Sequence, residues 1–123
     1  FGEEELLDKS LRYQRAASFV DAAQHSWAAA DGVRDGGFKD RWFDFAAPLP
    51  VPASPNRRPV LVQAGQSEDG RDFAARYAEA IFCPAPTLEV GRAYRDDMRS
   101  RAAAHGRDPD SLIIMPGLAY VLA

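Results

Sequence analysis

Residues 58–71, Arg-Pro-Val-Leu-Val-Gln-Ala-Gly-Gln-Ser-Glu-Asp-Gly-Arg, admit few conformations. Pro59 can open a strand but cannot sit in its middle. Val60, Leu61 and Val62 form a continuous apolar run, the pattern of a strand covered on both faces. Gly65 permits a sharp reversal or the close approach of a ligand. Ser67 is a favoured N-cap type for a following helix. N–H groups left free at such a helix start can hold a phosphate. The spacing predicts a strand over 60–64, a tight polar turn, and a helix over about 68–78. Parallel α/β folds usually place their ligands at such a strand–turn–helix.

The same alternation continues downstream. Ala80, Ile81 and Phe82 read as a very short strand, and Pro84 and Pro86 mark a loop. Thr87 can cap a helix running to about His105, with Gly106 as its stop. Leu112, Ile113, Ile114 and Met115 form the next strand. A βαβαβ order predicts adjacent parallel strands with right-handed crossovers.

Upstream, residues 3 to about 29 read as one amphipathic helix. Leu6, Lys9, Tyr13, Ala16, Val20, Ala23 and Trp27 recur at steps of three and four and so share a face. Glu3, Glu4 and Glu5 suit the positive end of the helix dipole. Asp31-Gly32 ends the helix, and Asp35-Gly36-Gly37 is a turn. Residues 38–45 suit a short strand or hairpin arm, in which Trp42, Phe43 and Phe45 seek burial. Pro48, Pro50, Pro52 and Pro55 impose an extended path.

Composition excludes more than it assigns. A net charge of −3 gives no electrostatic case for nucleic acid. No apolar run approaches the roughly 20 residues that a membrane helix needs. A single cysteine, Cys83, rules out an internal disulfide and supplies no metal-ligand spacing. It reads as a small buried residue at a strand end. His25 and His105 stand apart without a carboxylate or thiol at ligand spacing and read as helix-surface residues. Asp96 and Asp97 are neighbours on a helix and point in different directions. Arg92, Arg95, Arg99 and Arg101 read as a solvated face. No metal site is expected, and no catalytic residue is identified.

The run from Pro59 to Gly65, then Ser67-Glu68, Gly70-Arg71 and the stretch from Phe73 to Phe82, resembles the flavin-dependent monooxygenases of the bacterial luciferase-like superfamily. More narrowly, it resembles the nitrilotriacetate monooxygenase group. The similarity continues through Thr87-Leu88-Glu89, residues 102–110 and residues 114–118, and upstream through Phe1-Gly2, Arg12-Tyr13, Arg15 and Ala16. It touches about two thirds of the chain. It implies an α/β fold, one segment of a (β/α)8 barrel spanning residues 1–123: a helix over 1–30, an irregular insertion over 31–59 and a βαβαβ unit over 60–123.

The resemblance also implies a function: part of a two-component monooxygenase that takes reduced FMN from a separate flavin reductase and uses O2 to oxidise a small organic substrate. It implies a cytoplasmic homo-oligomer. Ser67, with Gly65 and Gln66, matches the family's site for the flavin phosphate, although a second small hydroxyl residue is common where Gln66 stands. Tyr13 matches a tyrosine that contacts the flavin. Lys9 stands where the family has a histidine; lysine reaches a phosphate as a point charge but is no neutral donor and acceptor. The blander readings are an ordinary N-cap for Ser67, core packing for Tyr13 and a solvated lysine for Lys9. Barrels of this kind rarely run below about 200 residues. The alternative function is therefore a truncated, non-catalytic barrel fragment, or a small α/β binding module, that folds by self-association.

Overall fold

The chain divides at Pro59 into two units, each described by itself. The computed structural model describes residues 6–30, 32, 35–47 and 51–117. The expectations placed on Phe1, Gly2, Glu3, Glu4, Glu5, Asp31, Pro48, Pro50 and Leu118 lie outside the described residues.

In the first unit, helix α1 is Lys9–Ala30. It starts later than the sequence pattern predicts, since residues 6–8 are not helical. The Arg12 N–H bonds the Asp8 carbonyl at 2.9 Å, which puts Asp8, a favoured capping residue, at the helix start. The buried stripe also differs. It is Ser18, Ala22 and Ala29, roughly opposite the predicted apolar stripe at about 100° per residue.

A hairpin explains the reversal. Strands β1 (Phe38–Lys39) and β2 (Asp44–Phe45) pair antiparallel, and their connection folds onto α1. Phe43 packs edge-on against Phe19, with ring centroids 5.9 Å apart, and Phe38 lies 5.6 Å from His25. Asp40 joins the two parts. Its Oδ1 accepts the Trp42 and Phe43 N–H groups at 2.7 and 2.8 Å, and its Oδ2 accepts the Ser18 hydroxyl. Residues 38–45 are thus a complete hairpin, and Trp42, Phe43 and Phe45 are half-buried.

In the second unit the predicted order holds. Strands β3 (Val62–Gln63), β4 (Ala80–Pro84) and β5 (Ile113–Gly117) form one parallel sheet in that order. Helix α2 (Glu68–Tyr77) joins β3 to β4. Helix α3 (Leu88–Ala104) and a 3-10 turn (Pro109–Ser111) join β4 to β5. Thr87 caps α3 by accepting the Val90 N–H, and Gly106 has a φ of +71° just after it, a left-handed stop that favours glycine.

β3 is shorter than predicted because its N–H groups are taken by side chains. Glu79 Oε2 accepts the Leu61 N–H at 3.1 Å, and Gln63 Oε1 accepts those of Ala64 and Gly65. Pro59 has no N–H to offer.

The core lies on one face of this sheet. Ala74, Ala75, Ala78, Ile81, Cys83, Tyr94 and Met98 form a buried cluster, with Leu112 and Ile114 partly covered beside it. Cys83 is fully buried, as its sequence context suggests, and burial pushes its thiol pKa up. The other face is bare. Val62, Phe82, Ile113 and Met115 alternate with the core residues and are 37–61% exposed. In this chain Val60 and Val62 are exposed, with Leu61 between them half-buried.

No helix of the described residues is long and apolar enough to cross a membrane. Among those residues, no group of three or more His, Cys, Asp or Glu side chains is placed to hold a metal ion.

Two outcomes are expected. Met98→Ala removes a fully buried side chain and should cost about 2–5 kcal/mol in urea unfolding. A cost near zero would mean the core collapses into the space. The Ser18 hydrogen bond, ahead of the Trp42 and Phe43 N–H groups, holds the Asp40 carboxyl below its ordinary range. A depressed carboxylate stabilises the fold above its unfolded pKa of about 3.9, and that stability is lost as pH falls through the lower folded value. Protection of the hairpin amides, taken relative to their intrinsic exchange rates, should therefore fall in acid below pH ~4. Asp40→Asn should exchange faster at neutral pH and lose this acid step.

Candidate functional site

The turn between β3 and α2 sits at the C-terminal end of its strand, the edge where parallel sheets carry ligands. Ser67 caps α2: its Oγ accepts the Gly70 N–H at 3.2 Å. The hydroxyl proton stays available, because a hydroxyl accepts through its lone pairs. The first helical acceptor is the Ser67 carbonyl, which takes the Arg71 N–H at 2.8 Å, so the Ser67 and Glu68 N–H groups have no acceptor within the helix.

Gly65 is required by close packing. A Cβ there would lie 3.0 Å from the Gly70 Cα and 3.2 Å from the Gln63 Nε2. The partner in that close approach is the backbone of α2. The Gly65 N–H donates to Gln63 Oε1 at 3.0 Å. Gln66 is exposed, while Gly65 and Ser67 are half-buried.

Charge around the turn is balanced. Glu68 pairs with Arg71 at 3.1 Å and with Arg101 at 2.7 Å. Asp97 pairs with Arg71 at 2.9 Å and with Arg101 at 2.8 Å. Two carboxylates and two guanidinium groups form a closed ring between α2 and α3. Hydrogen bonding to Glu68, followed by Asp97, pushes the Arg101 pKa further up. The reading of Arg101 as part of a solvated face is therefore wrong. Its side chain is 23% exposed and ties two helices together. Arg99 likewise pairs with Asp110, whereas Arg92 and Arg95 are exposed as expected. Asp97 faces the ring and Asp96 faces solvent. His105 bonds Asp72 at 2.9 Å and His25 bonds the Asp35 carbonyl at 2.7 Å.

Beneath the turn, Tyr94 is buried, and burial raises its phenol pKa. The Gln66 side chain opposes that rise, yet no hydrogen bond of normal geometry forms to the Tyr94 hydroxyl within the described residues.

Lys9 and Tyr13 belong to the first unit. One helical turn apart on α1, they line a groove of about 310 Å³ together with Arg12 and Ala16. The structure thus brings together Gly65, Gln66 and Ser67 at one turn, and Lys9 with Tyr13 in one groove. Sequence reasoning missed Gln63, which fastens the turn. It also missed Arg71 and Asp97 of the ring, and Arg12 in the groove. An arginine four residues after an N-cap serine is the only hint of the ring, and it does not say what the guanidinium touches.

The profile of the luciferase-like monooxygenases matches residues 1–123. The chain belongs to this family.

The luciferase-like chain is 39% identical over its full length to a pristinamycin IIA synthase subunit of Streptomyces pristinaespiralis, and it spans 29% of that protein. It is 35% identical to the N-acetyl-S-(2-succino)cysteine monooxygenase of Bacillus subtilis, spanning all of this chain and 32% of that one. Among solved structures, a long-chain alkane monooxygenase superposes with a TM-score of 0.86 at 28% identity, over 94% of this chain and 31% of that one. The chain therefore spans about a third of the relatives it matches, and its parallel sheet and helices are one part of a luciferase-like (β/α)8 barrel.

Gly65→Ala forces a methyl group onto the Gly70 backbone, which cannot step aside as a flexible side chain can. The substitution should cost about 1–3 kcal/mol by overpacking, read as a lower midpoint in thermal unfolding. An unchanged midpoint would mean that turn and helix move apart freely.

Proposed function

We propose that this chain carries the flavin-phosphate turn of a two-component monooxygenase. In this reading the protein takes reduced FMN from a separate flavin reductase and uses O2 to oxidise a small organic substrate. The observation that carries it is the Ser67 turn: a hydroxyl and two N–H groups without helical acceptors stand at one helix start, where the neighbouring acidic charge of Glu68 is already paired. A phosphate needs such converging donors at a helix start. The donor set fits the group.

Two relatives support the cofactor and the system by name: an FMNH2-dependent dimethylsulfone monooxygenase of Pseudomonas fluorescens and a nitrilotriacetate monooxygenase component of Aminobacter aminovorans. The second also supports placing the protein in the nitrilotriacetate monooxygenase group. When bound, the reduced flavin supplies the oxygen chemistry, and the protein supplies orientation, dryness and substrate choice. Ser67 donates its hydroxyl to the phosphate while its lone pair keeps α2 capped. Gln66 offers a carboxamide donor in place of a second hydroxyl, and Gly65 keeps the turn tight. Within the first unit, Tyr13, Lys9 and Arg12 offer a phenol and two cations from one groove, and Tyr13 and Lys9 are the positions that the family resemblance assigns to the flavin.

Ser67→Ala in the full-length protein should weaken reduced-FMN binding by about 1–3 kcal/mol, the cost of leaving a charged partner one hydrogen bond short. Its cost to folding should stay near 1 kcal/mol, that of a lost N-cap. Anaerobic titration of wild type, Ser67→Ala and Tyr13→Phe with reduced FMN checks this. Unchanged affinity in both variants would place the phosphate elsewhere.

A further inference from the structure

We propose that Arg71 is a positioning residue for this turn: it sets the plane of the Gln66–Ser67 peptide, and Asp97 holds Arg71 in place to do so. The inference rests on the reading of the turn as a phosphate site.

All three guanidinium nitrogens of Arg71 are committed. Nε donates to the Gln66 carbonyl at 3.1 Å, Nη1 to Asp97 at 2.9 Å, and Nη2 pairs with Glu68 at 3.1 Å. Each nitrogen thus has a protein partner, and the Nε contact lets Arg71 act on an anion at the turn through the backbone. The Gln66 carbonyl and the Ser67 N–H belong to one planar trans peptide, so they point in opposite directions. Holding the carbonyl toward Arg71 fixes the Ser67 N–H pointing the opposite way.

Capping does not require this. Ser67 caps α2 through the Gly70 N–H without help from Arg71, and Arg71 adds no helical hydrogen bond by gripping Gln66. The grip is also braced from outside α2, since Asp97 lies on α3 and is itself held by Arg101. The same cluster contains the Tyr94 hydroxyl, nine-tenths buried and without a partner in the described residues, beside Gln66 and Arg71. Lysine could replace the charge of Arg71 but not its three-way fork.

The test compares FMN with riboflavin, which lacks the phosphate, as ligands of the full-length protein. Variants are Arg71→Gln, Arg71→Lys, Asp97→Asn and Ser67→Ala. Arg71→Gln should lower FMN affinity roughly five- to twenty-fold and leave riboflavin affinity unchanged. Arg71→Lys should recover only part of the loss. Asp97→Asn keeps the shape of the ring and should lower FMN affinity about two- to five-fold, which keeps the test informative if Arg71→Gln fails to fold. A purely structural role would weaken both ligands equally, and that result overturns the inference. If Ser67→Ala lowers the FMN-to-riboflavin ratio while the Arg71 and Asp97 variants keep it, the positioning role fails and the phosphate turn stands. If Ser67→Ala also keeps the ratio, the phosphate turn fails and the inference goes with it.

Discussion

Helix α2 lies on the parallel sheet through Ala74, Ala75 and Ala78, each 1% exposed or less. Ala74 and Ala75 carry it into the buried cluster that also holds Ile81 and Cys83, and its main neighbour is α3. The connection from β3 is short, and Gly65 meets the α2 backbone there. That is why a residue without a side chain is needed at Gly65, facing Gly70, and why Gln63 folds back to occupy the turn's N–H groups. Arg107 fixes the far end by donating to the Ala75 and Ala78 carbonyls at 2.7 and 2.8 Å. The helix is pinned at both ends, so the atoms at its start have a defined position.

The electrostatics follow from the same placement. With α2 held down, its first turn and the middle of α3 approach closely enough for Glu68, Arg71, Asp97 and Arg101 to form a ring. Exposed pairs contribute little to stability, and Glu68 is 71% exposed. The effect of the ring is to balance charge. Acidic residues in the first turn suit the helix dipole but repel an anionic ligand. Pairing Glu68 twice offsets its part of that repulsion, while Asp69 stands as a second carboxylate in the same turn.

Much of this second unit was legible in the sequence because its signals are local. Ser67, Thr87 and Gly106 are end markers with a direct backbone cause, and the apolar runs at 80–82 and 112–115 fall on β4 and β5. What was not legible depended on contacts between distant residues. The length of β3 is set by Glu79, eighteen residues beyond Leu61. The buried side of α1 is chosen by a hairpin that docks through Asp40, so three small residues are covered while Tyr13, Val20 and Trp27 are only half-buried. The ring is invisible for the same reason. Arg71 and Asp97 are 26 residues apart, and nothing in the spacing pairs them. The turn stood out in the sequence as a candidate site, but the residues that brace it did not.

The alternation along the sheet has a practical consequence. Every second residue of β3 and β5 turns an aliphatic or thioether side chain to water, and Phe82 adds an aromatic ring between them. Such a surface is flat, ordered and rich in β-forming residues. In a (β/α)8 barrel the helices cover the outer face of the sheet and side chains from alternate strands fill the interior in layers. Val62, Phe82, Ile113 and Met115 lie on the face opposite the helix-covered core, so they are this segment's contribution to those layers. A charge at Val62 or Ile113 would then be buried in the barrel without touching the cluster under α2 and α3.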